Sequence, residues 1–514
     1  MTTRRRFLLL AGAAAALAGL PPLRALARAT LPQNPFTLGI ASGYPLPNGI
    51  ALWTRLAPEP LAPDGGMPIE AFPVRWEVAE DDGFKRIATS GETWAEPAWG
   101  HSVHAEPTGL EPGREYWYRF HAAGATSPIG RTKTAPALDA ELPALRFAFM
   151  SCQHYEQGHY AAYRQVAADA LDLVLHLGDY IYESPSREAP VRRHVGPEPV
   201  TLSDYRVRYA QYKTDPLLQA AHAASPWAFV WDDHEVDNDY ANDRSQDLDD
   251  PAWFLQRRAV AYQAWYEHMP ARRSMVPFGP ALQQFARLSF GRLAQFNLLD
   301  GRQYRTPQPC PKPGRGGANG LEDCAARLDA AASMLGARQE AWLAAGLAAS
   351  KAKWNVLAQQ TLMAQADSKS GPGQRFFSDG WDGYPAARDR LFNEFEKSRV
   401  ANPVVLSGDA HSFWVADLKR DFEKAESPVI ATEFLGGSIT SQPGAKAMTE
   451  TVMQESPHVK FATGAPRGYM RATLTPTRME TDIMVVDDVR DAASAVHRHS
   501  TWVVEDGKPG AVRG

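Results

Sequence analysis

The sequence predicts an α/β protein, a β-sandwich core flanked by helices, preceded by an all-β sandwich domain. Three observations predict it. Period-two strand patterning fills the first quarter of the chain; from about residue 145 the apolar stretches become short unbroken runs that stop at polar clusters; helical stretches such as 336–350 lie between them. At 514 residues, 44% hydrophobic and 22% charged, the chain can bury large cores without staples. That balance excludes disordered, collagen-like and coiled-coil classes.

Residues 1–29 hold five arginines and no acid. Thr3-Arg4-Arg5-Arg6-Phe7-Leu8 opens a 14-residue apolar run from Phe7 to Leu20, and Ala27-Arg28-Ala29 offers small residues for cleavage. This looks like a twin-arginine export signal. The run falls short of the roughly 20 apolar residues a bilayer span needs, a signal anchor being the alternative, and no later segment reaches that length. The expectation is export by the twin-arginine translocation machinery to periplasm or medium, with no stable membrane span. That route passes folded proteins, which favours a metal inserted before export. Without those five arginines the chain is net −10, which argues against a nucleic-acid partner. Cys310 and Cys324 flank a Pro/Gly-rich loop in a chain bound for an oxidising compartment, so a 310–324 disulfide is the simplest pairing. Cys152 is left over.

Residues 30–138 form the expected first domain. Val74–Val78 and Tyr116–Phe120 alternate at period two, and Leu110–Tyr118 resembles the turn and tyrosine corner of a fibronectin-type sandwich. No nucleophile or metal cluster stands out there, so its expected role is packing or covering. An Ala/Pro-rich linker leads into residues 139–514. Four apolar runs end there in metal-ligand residue types: Phe147–Met150 before Cys152, Leu171–Leu177 before Asp179, Trp227–Trp231 before Asp232-Asp233-His234, and Val404–Leu406 before Asp409. Ligand groups in open α/β sheets gather outside carboxyl strand ends, so the four ends together predict a site. The late runs 468–474, 479–486 and 501–504 predict a second sheet closing the sandwich.

The most specific cluster is Gly178-Asp179-Tyr180-Ile181-Tyr182. A strand-end carboxylate can bridge two cations, and Tyr182 can reach the same ion as a phenolate; taken alone, the cluster reads better as an aspartate capping a helix with two core tyrosines. Cys152 reads as a metal ligand, with a buried small hydrophobe or a thiol nucleophile as alternatives. His234, beside Asp233, is the candidate general acid, or else orients a ligand. Gln360, at the end of the 354–357 strand, is a candidate amide ligand; Asp237 and Asn238 are candidates for a further cation or solvated loop residues. Arg302 and Arg305 could fork onto phosphate oxygens or form structural ion pairs. His176, inside an apolar run, is expected to be a satisfied core residue. Trp381–Pro385 reads as structural rather than chemical.

In order, Cys152, GDYIY, DDHE (232–235) and GDAH (408–411) resemble the metallophosphoesterase sequence of a first ligand, GDxxY, GNH and GHxH. More closely, FTLGIASGYPLPNGIALWTRL, SCQHYEQGHY, LHLGDYIYE, VWDDHEVDND and LSGDAHSFW resemble the alkaline phosphatase D (PhoD) family over nearly the whole mature chain. The resemblance implies a metallophosphoesterase-like catalytic core and a metal-dependent alkaline phosphatase with two metal sites and a metal-activated hydroxide. It implies Fe(III) held by Cys152, Asp179, Tyr182 and His411, with Asp179 bridging to Ca(II) on Asp233 and Asp409. Thiolate, phenolate and imidazole donors suit a transition metal, and the carboxylate-rich second site suits a hard ion such as Ca(II), Mg(II) or Mn(II). The expected substrate is a small phosphate ester, with a phosphodiesterase or phospholipase D using the same site as the alternative. A non-catalytic phosphate-ester binding module is a rival class, against which four ligand clusters in catalytic order argue.

Overall fold

The computed structural model describes Leu31, residues 33–442 and residues 446–514. The expected export signal at 1–29 lies outside the described residues. Three parallel strands, Leu145–Met150, Leu173–Leu177 and Pro226–Val230, form the middle of a ten-stranded sheet. Apart from Arg146 their residues are at most slightly exposed, which is why they read as unbroken apolar runs. A seven-stranded sheet faces them. Its parallel strands Ala294–Leu298, Trp354–Ala358, Pro403–Ser407 and Val429–Gly436 are flanked by antiparallel Ala286–Phe290, Phe413–Lys419 and Val459–Thr463. Phe147 and Phe149 of one sheet share a core with Phe296, Val356, Leu406 and Phe434 of the other, and the Phe147 and Phe296 rings meet edge-on at 5.2 Å.

The late strands depart from expectation. Arg467–Leu474, Arg478–Val486, Val496–Glu505 and Lys508–Arg513 extend the first sheet rather than building the second. Arg467–Leu474 pairs antiparallel with Leu145–Met150, covering an edge that would otherwise expose unpaired backbone. The Val404–Leu406 run, in turn, lies in the second sheet. The candidate ligand strands therefore come from both layers and meet across the sandwich.

Strands Ile40–Leu46, Gly49–Arg55 and Ser102–Ala105 continue the ten-stranded sheet on its other side, Ile40–Leu46 pairing parallel with Pro226–Val230. A five-stranded sheet of Phe72–Ala79, Ile87–Ala95, Glu115–Ala122, Ala125–Thr126 and Gly130–Lys133 faces this extension. Ile40, Leu52 and Val103 interleave with Val74, Tyr118 and Phe120 between the layers. The N-terminal sandwich thus shares one layer with the rest of the protein. The Tyr116 hydroxyl accepts from the Glu111 amide at 2.9 Å, forming a tyrosine corner.

The helix Gly336–Ala349 lies where the sequence places it, and a turn at Trp381–Gly383 leads into the helix Pro385–Lys397. Cys310 and Cys324 are joined in a disulfide. His176 is fully buried, but neither ring nitrogen has a hydrogen-bond partner, so it is a core residue without the satisfied bonds expected of it. Its strand places the ring beside Tyr180 and Phe229, which offer it only aromatic contact. Among the described residues no helix is long and apolar enough to cross a membrane.

Candidate active site

The backbone brings the strand ends together before any side chain acts. The Cys152 amide donates to the Gly178 carbonyl and the Gln153 amide to the Asp179 carbonyl, both at 3.1 Å, so the first two strands stay joined one step beyond their ends. Gly178 has φ 107°, and a Cβ there would lie 2.5 Å from that of Asp232; only glycine fits. Gly408 is a close approach between sheets, since a Cβ would lie 2.6 Å from Ser151 Oγ. Beyond these turns Cys152, Asp179, Asp409 and His411 adopt left-handed φ values of 58°, 57°, 64° and 51°. Such strain costs about 1–3 kcal/mol per residue and gathers at functional sites.

Cys152, Asp179 and His411 each offer a donor atom, and the three atoms lie within 4.8 Å of one another. The Tyr182 hydroxyl donates to Asp179 Oδ2 at 2.8 Å and lies 3.1 Å from His411 Nε2. His411 Nδ1 is 2.8 Å from the Gln442 carbonyl, to which it donates, so Nε2 keeps its lone pair for the site. A second group, Asp179, Asp233 and His234, also lies within 4.8 Å. Asp179 belongs to both. Its Oδ1 is buried without a hydrogen-bond partner, a costly state for a carboxylate oxygen that a cation between the two groups would relieve.

The electrostatics agree. Burial, then the charges of Asp233, Glu235 and Asp409, push the Asp179 carboxyl well above the usual range against the pull of His234. Burial and Asp179 push the Cys152 thiol and the Tyr182 phenol up. Sulfur, phenol and carboxylate donors that disfavour one another's ionisation, with a neutral imidazole beside them, fit a transition-metal cation, which inverts that balance. Asp409 stands outside both tight groups. Burial, Asp379 and Asp233 raise its carboxyl to about 8, and with His411, Trp414 and Phe376 it lines a cleft of about 750 Å³.

His234 is held at both ends. Its Nδ1 is 2.7 Å from Glu183 Oε2, and its amide donates to Asp233 Oδ1 at 3.1 Å. Glu183 Oε1 accepts from the Asn238 amide at 2.9 Å. Burial opposes a charged imidazole, but Glu183, Asp179 and Asp233 outweigh it and hold the ring's pKa well above its ordinary value. The Tyr182 ring sits between those of His234 and His154, with centroids 4.1 and 4.3 Å away.

The remaining candidates go elsewhere. Arg302 is fully buried; its Nη1 and Nη2 donate to Asp379 at 3.0 and 2.6 Å and its Nε to Asp232. Arg305 donates to the carboxylate and carbonyl of the same Asp379. Both forks are structural ion pairs, so neither guanidinium is free for phosphate. Gln360 Oε1 accepts from the Gly301 amide and its Nε2 donates to the Trp231 and Leu299 carbonyls; the amide joins strand ends instead of reaching the cluster. Asp237 is buried and ion-paired with Arg257 at 3.0 Å, so it is not a solvated loop residue; Asn238 is half-buried, and its backbone amide donates to Glu183.

Sequence reasoning missed Glu183, Glu235, Asp379 and Ser441. Glu235 accepts from the Asp179, Tyr180 and Asp232 amides at 3.1, 2.6 and 2.9 Å, locking two motifs together. Glu183 and Glu235 lie inside quoted motifs, where an acid next to proposed ligands was the available signal. Asp379 and Ser441 lie in loops with no motif.

A two-sheet sandwich with acids, histidines and a thiol gathered where strand ends of both layers meet defines the metallophosphoesterase-like class. The chain belongs to the PhoD-like phosphatase family, which matches residues 147–483, with the family's N-terminal domain matching 23–136. It is 45% identical over 484 residues to alkaline phosphatase D of Bacillus subtilis (strain 168), covering 93% of this chain and 82% of that one. A solved structure of PhoD superposes with a TM-score of 0.90 at 44% identity, covering 94% of this chain and 93% of the other. A purple acid phosphatase from yellow lupin (Lupinus luteus) seeds shares the fold, with a TM-score of 0.59 at 12% identity over 92% of this chain and 75% of that one. The chain is a phosphatase, a phosphoric ester hydrolase.

Proposed function

We propose that this protein is an exported alkaline phosphatase that hydrolyses phosphate esters on two cations. Cys152, Asp179, Tyr182 and His411 would hold Fe(III), and Asp179, Asp233 and Asp409 would hold Ca(II), an oxygen set that also suits Mg(II) or Mn(II). The observation that carries the reading is Asp179, which belongs to both donor groups and whose Oδ1 is buried without a hydrogen-bond partner. Bound there, the cations would neutralise phosphoryl charge and lower the pKa of the attacking water. His234, oriented through Nδ1 by Glu183, would protonate the leaving-group oxygen through its other nitrogen. Residues 30–138 cover and brace the catalytic part, 139–514. The twin-arginine pattern at the N-terminus supports delivery to periplasm or medium.

Elemental analysis of natively purified protein tests the metals: iron and calcium are expected, and finding neither overturns the reading. A diester reading is favoured by the 750 Å³ cleft beside Asp409 and His411, which has room for a second ester arm. Turnover of p-nitrophenyl phosphate against its bis ester separates the two.

A further inference from the structure

We propose that Ser441 is a positioning residue that donates its hydroxyl proton to the Tyr182 oxygen when that oxygen is a metal-bound phenolate, and so sets how strongly Tyr182 donates to the metal. The inference rests on the ferric reading above. Ser441 Oγ lies 2.7 Å from the Tyr182 oxygen and 2.8 Å from the Cys152 carbonyl, and accepts from the His154 amide at 3.3 Å. One hydroxyl proton faces two acceptors. The Cys152 carbonyl also accepts from the Ser441 and Thr440 amides at 3.2 and 3.4 Å, so it is served without the hydroxyl. As a phenolate, Tyr182 no longer has a proton to offer and becomes an anionic acceptor, for which hydrogen bonds are shorter and roughly twice as strong. The proton goes to the phenolate.

The donor is rigidly placed. The Ile439 amide donates to the Ser151 carbonyl at 3.1 Å. Ser438 Oγ donates to the Ser441 carbonyl at 2.8 Å, and Arg467 Nη1 donates to Ser438 Oγ at 3.0 Å and to the Ser441 carbonyl at 2.6 Å. The next carbonyl, of Gln442, orients His411. One loop therefore grips three of the four residues of the first donor set. A hydrogen bond to a ligand oxygen withdraws electron density from it, so the phenolate-to-iron absorption lies at shorter wavelength, and the iron potential is higher, than without the bond.

The test uses the holoenzyme as purified. Wild type is expected to contain iron and show the phenolate absorption, and its phenolate C–O stretch in resonance Raman spectra is expected to move on exchange into D2O. Ser441→Ala should keep iron, absorb at longer wavelength, have a lower potential and lose the D2O sensitivity; Ser441→Thr should restore the wild-type values. An unmoved band and potential in Ser441→Ala, or a D2O-insensitive stretch in wild type, overturns the inference while leaving the metal reading intact. Should Ser441→Ala take up no iron, the wild-type D2O measurement decides. Wild type lacking both iron and the absorption overturns the metal reading, and this inference with it.

Discussion

Replacing Glu183 with glutamine removes the charge facing His234 while leaving an oxygen near the same place. Oε2 lies 2.7 Å from Nδ1, and the two side chains are only 6% and 17% exposed, so solvent screens the pair weakly. At an effective dielectric constant of about 20, two unit charges at that distance attract by about 6 kcal/mol. That is a ceiling, because Asp179 and Asp233 stay and the amide keeps a hydrogen bond. Roughly half of it, about 3 kcal/mol, corresponds to about two pKa units at His234. The sign follows from the partner: Glu183 raises the imidazole pKa, so the protonated form persists to higher pH, and its loss moves the alkaline decline of activity to lower pH. Leaving groups supply the discriminating assay. An alkyl phosphate needs its departing oxygen protonated and should lose about 100-fold in kcat, whereas p-nitrophenyl phosphate, whose leaving group is stable as an anion, should lose less than about tenfold. Equal losses for both esters with an unmoved pH profile would refute the general-acid assignment.

Asp179→Ala should lose bound metal and phosphatase activity together, and Cys152→Ala should lose iron; normal metal content by elemental analysis in either variant contradicts the donor set. Burial holds the His176 imidazole at about 3, so the unfolded chain takes up a proton below about 6.5 while the native protein does not. The contribution of His176 to stability is full above that pH and falls by about 1.4 kcal/mol per unit towards pH 3; His176→Leu should make this limb shallower by that amount in urea unfolding, and parallel curves would contradict the assignment. Asp379→Asn weakens the partner of both Arg302 and Arg305 and should destabilise the fold by about 3–5 kcal/mol, read from the urea midpoint.

The first donor set was legible because its chemistry is local: Cys152, Asp179 and His411 each follow an apolar run by one to a few residues, and GDYIY carries Tyr182 along. Pairing is not local. Arg467–Leu474 is largely buried beside Leu145–Met150 and would read the same in either sheet. The fork of Arg302 reads either way in the sequence because its acceptor, Asp379, lies 77 residues away. Gln360 sits at a strand end like the ligands, but its neighbours Trp231, Leu299 and Gly301 claim the amide first. Ser441 reaches Tyr182 across 259 residues, a contact only the closed sandwich creates.

The shared ten-stranded layer also governs when this protein can fold. Ile40–Leu46 waits for Pro226–Val230, and Leu145–Met150 waits for Arg467–Leu474, so neither neighbour exists until the ribosome has moved far downstream. The strand leading into Asp232 finds both of its neighbours already made, whereas the strand leading into Cys152 becomes fully flanked only when nearly the whole polypeptide has been made.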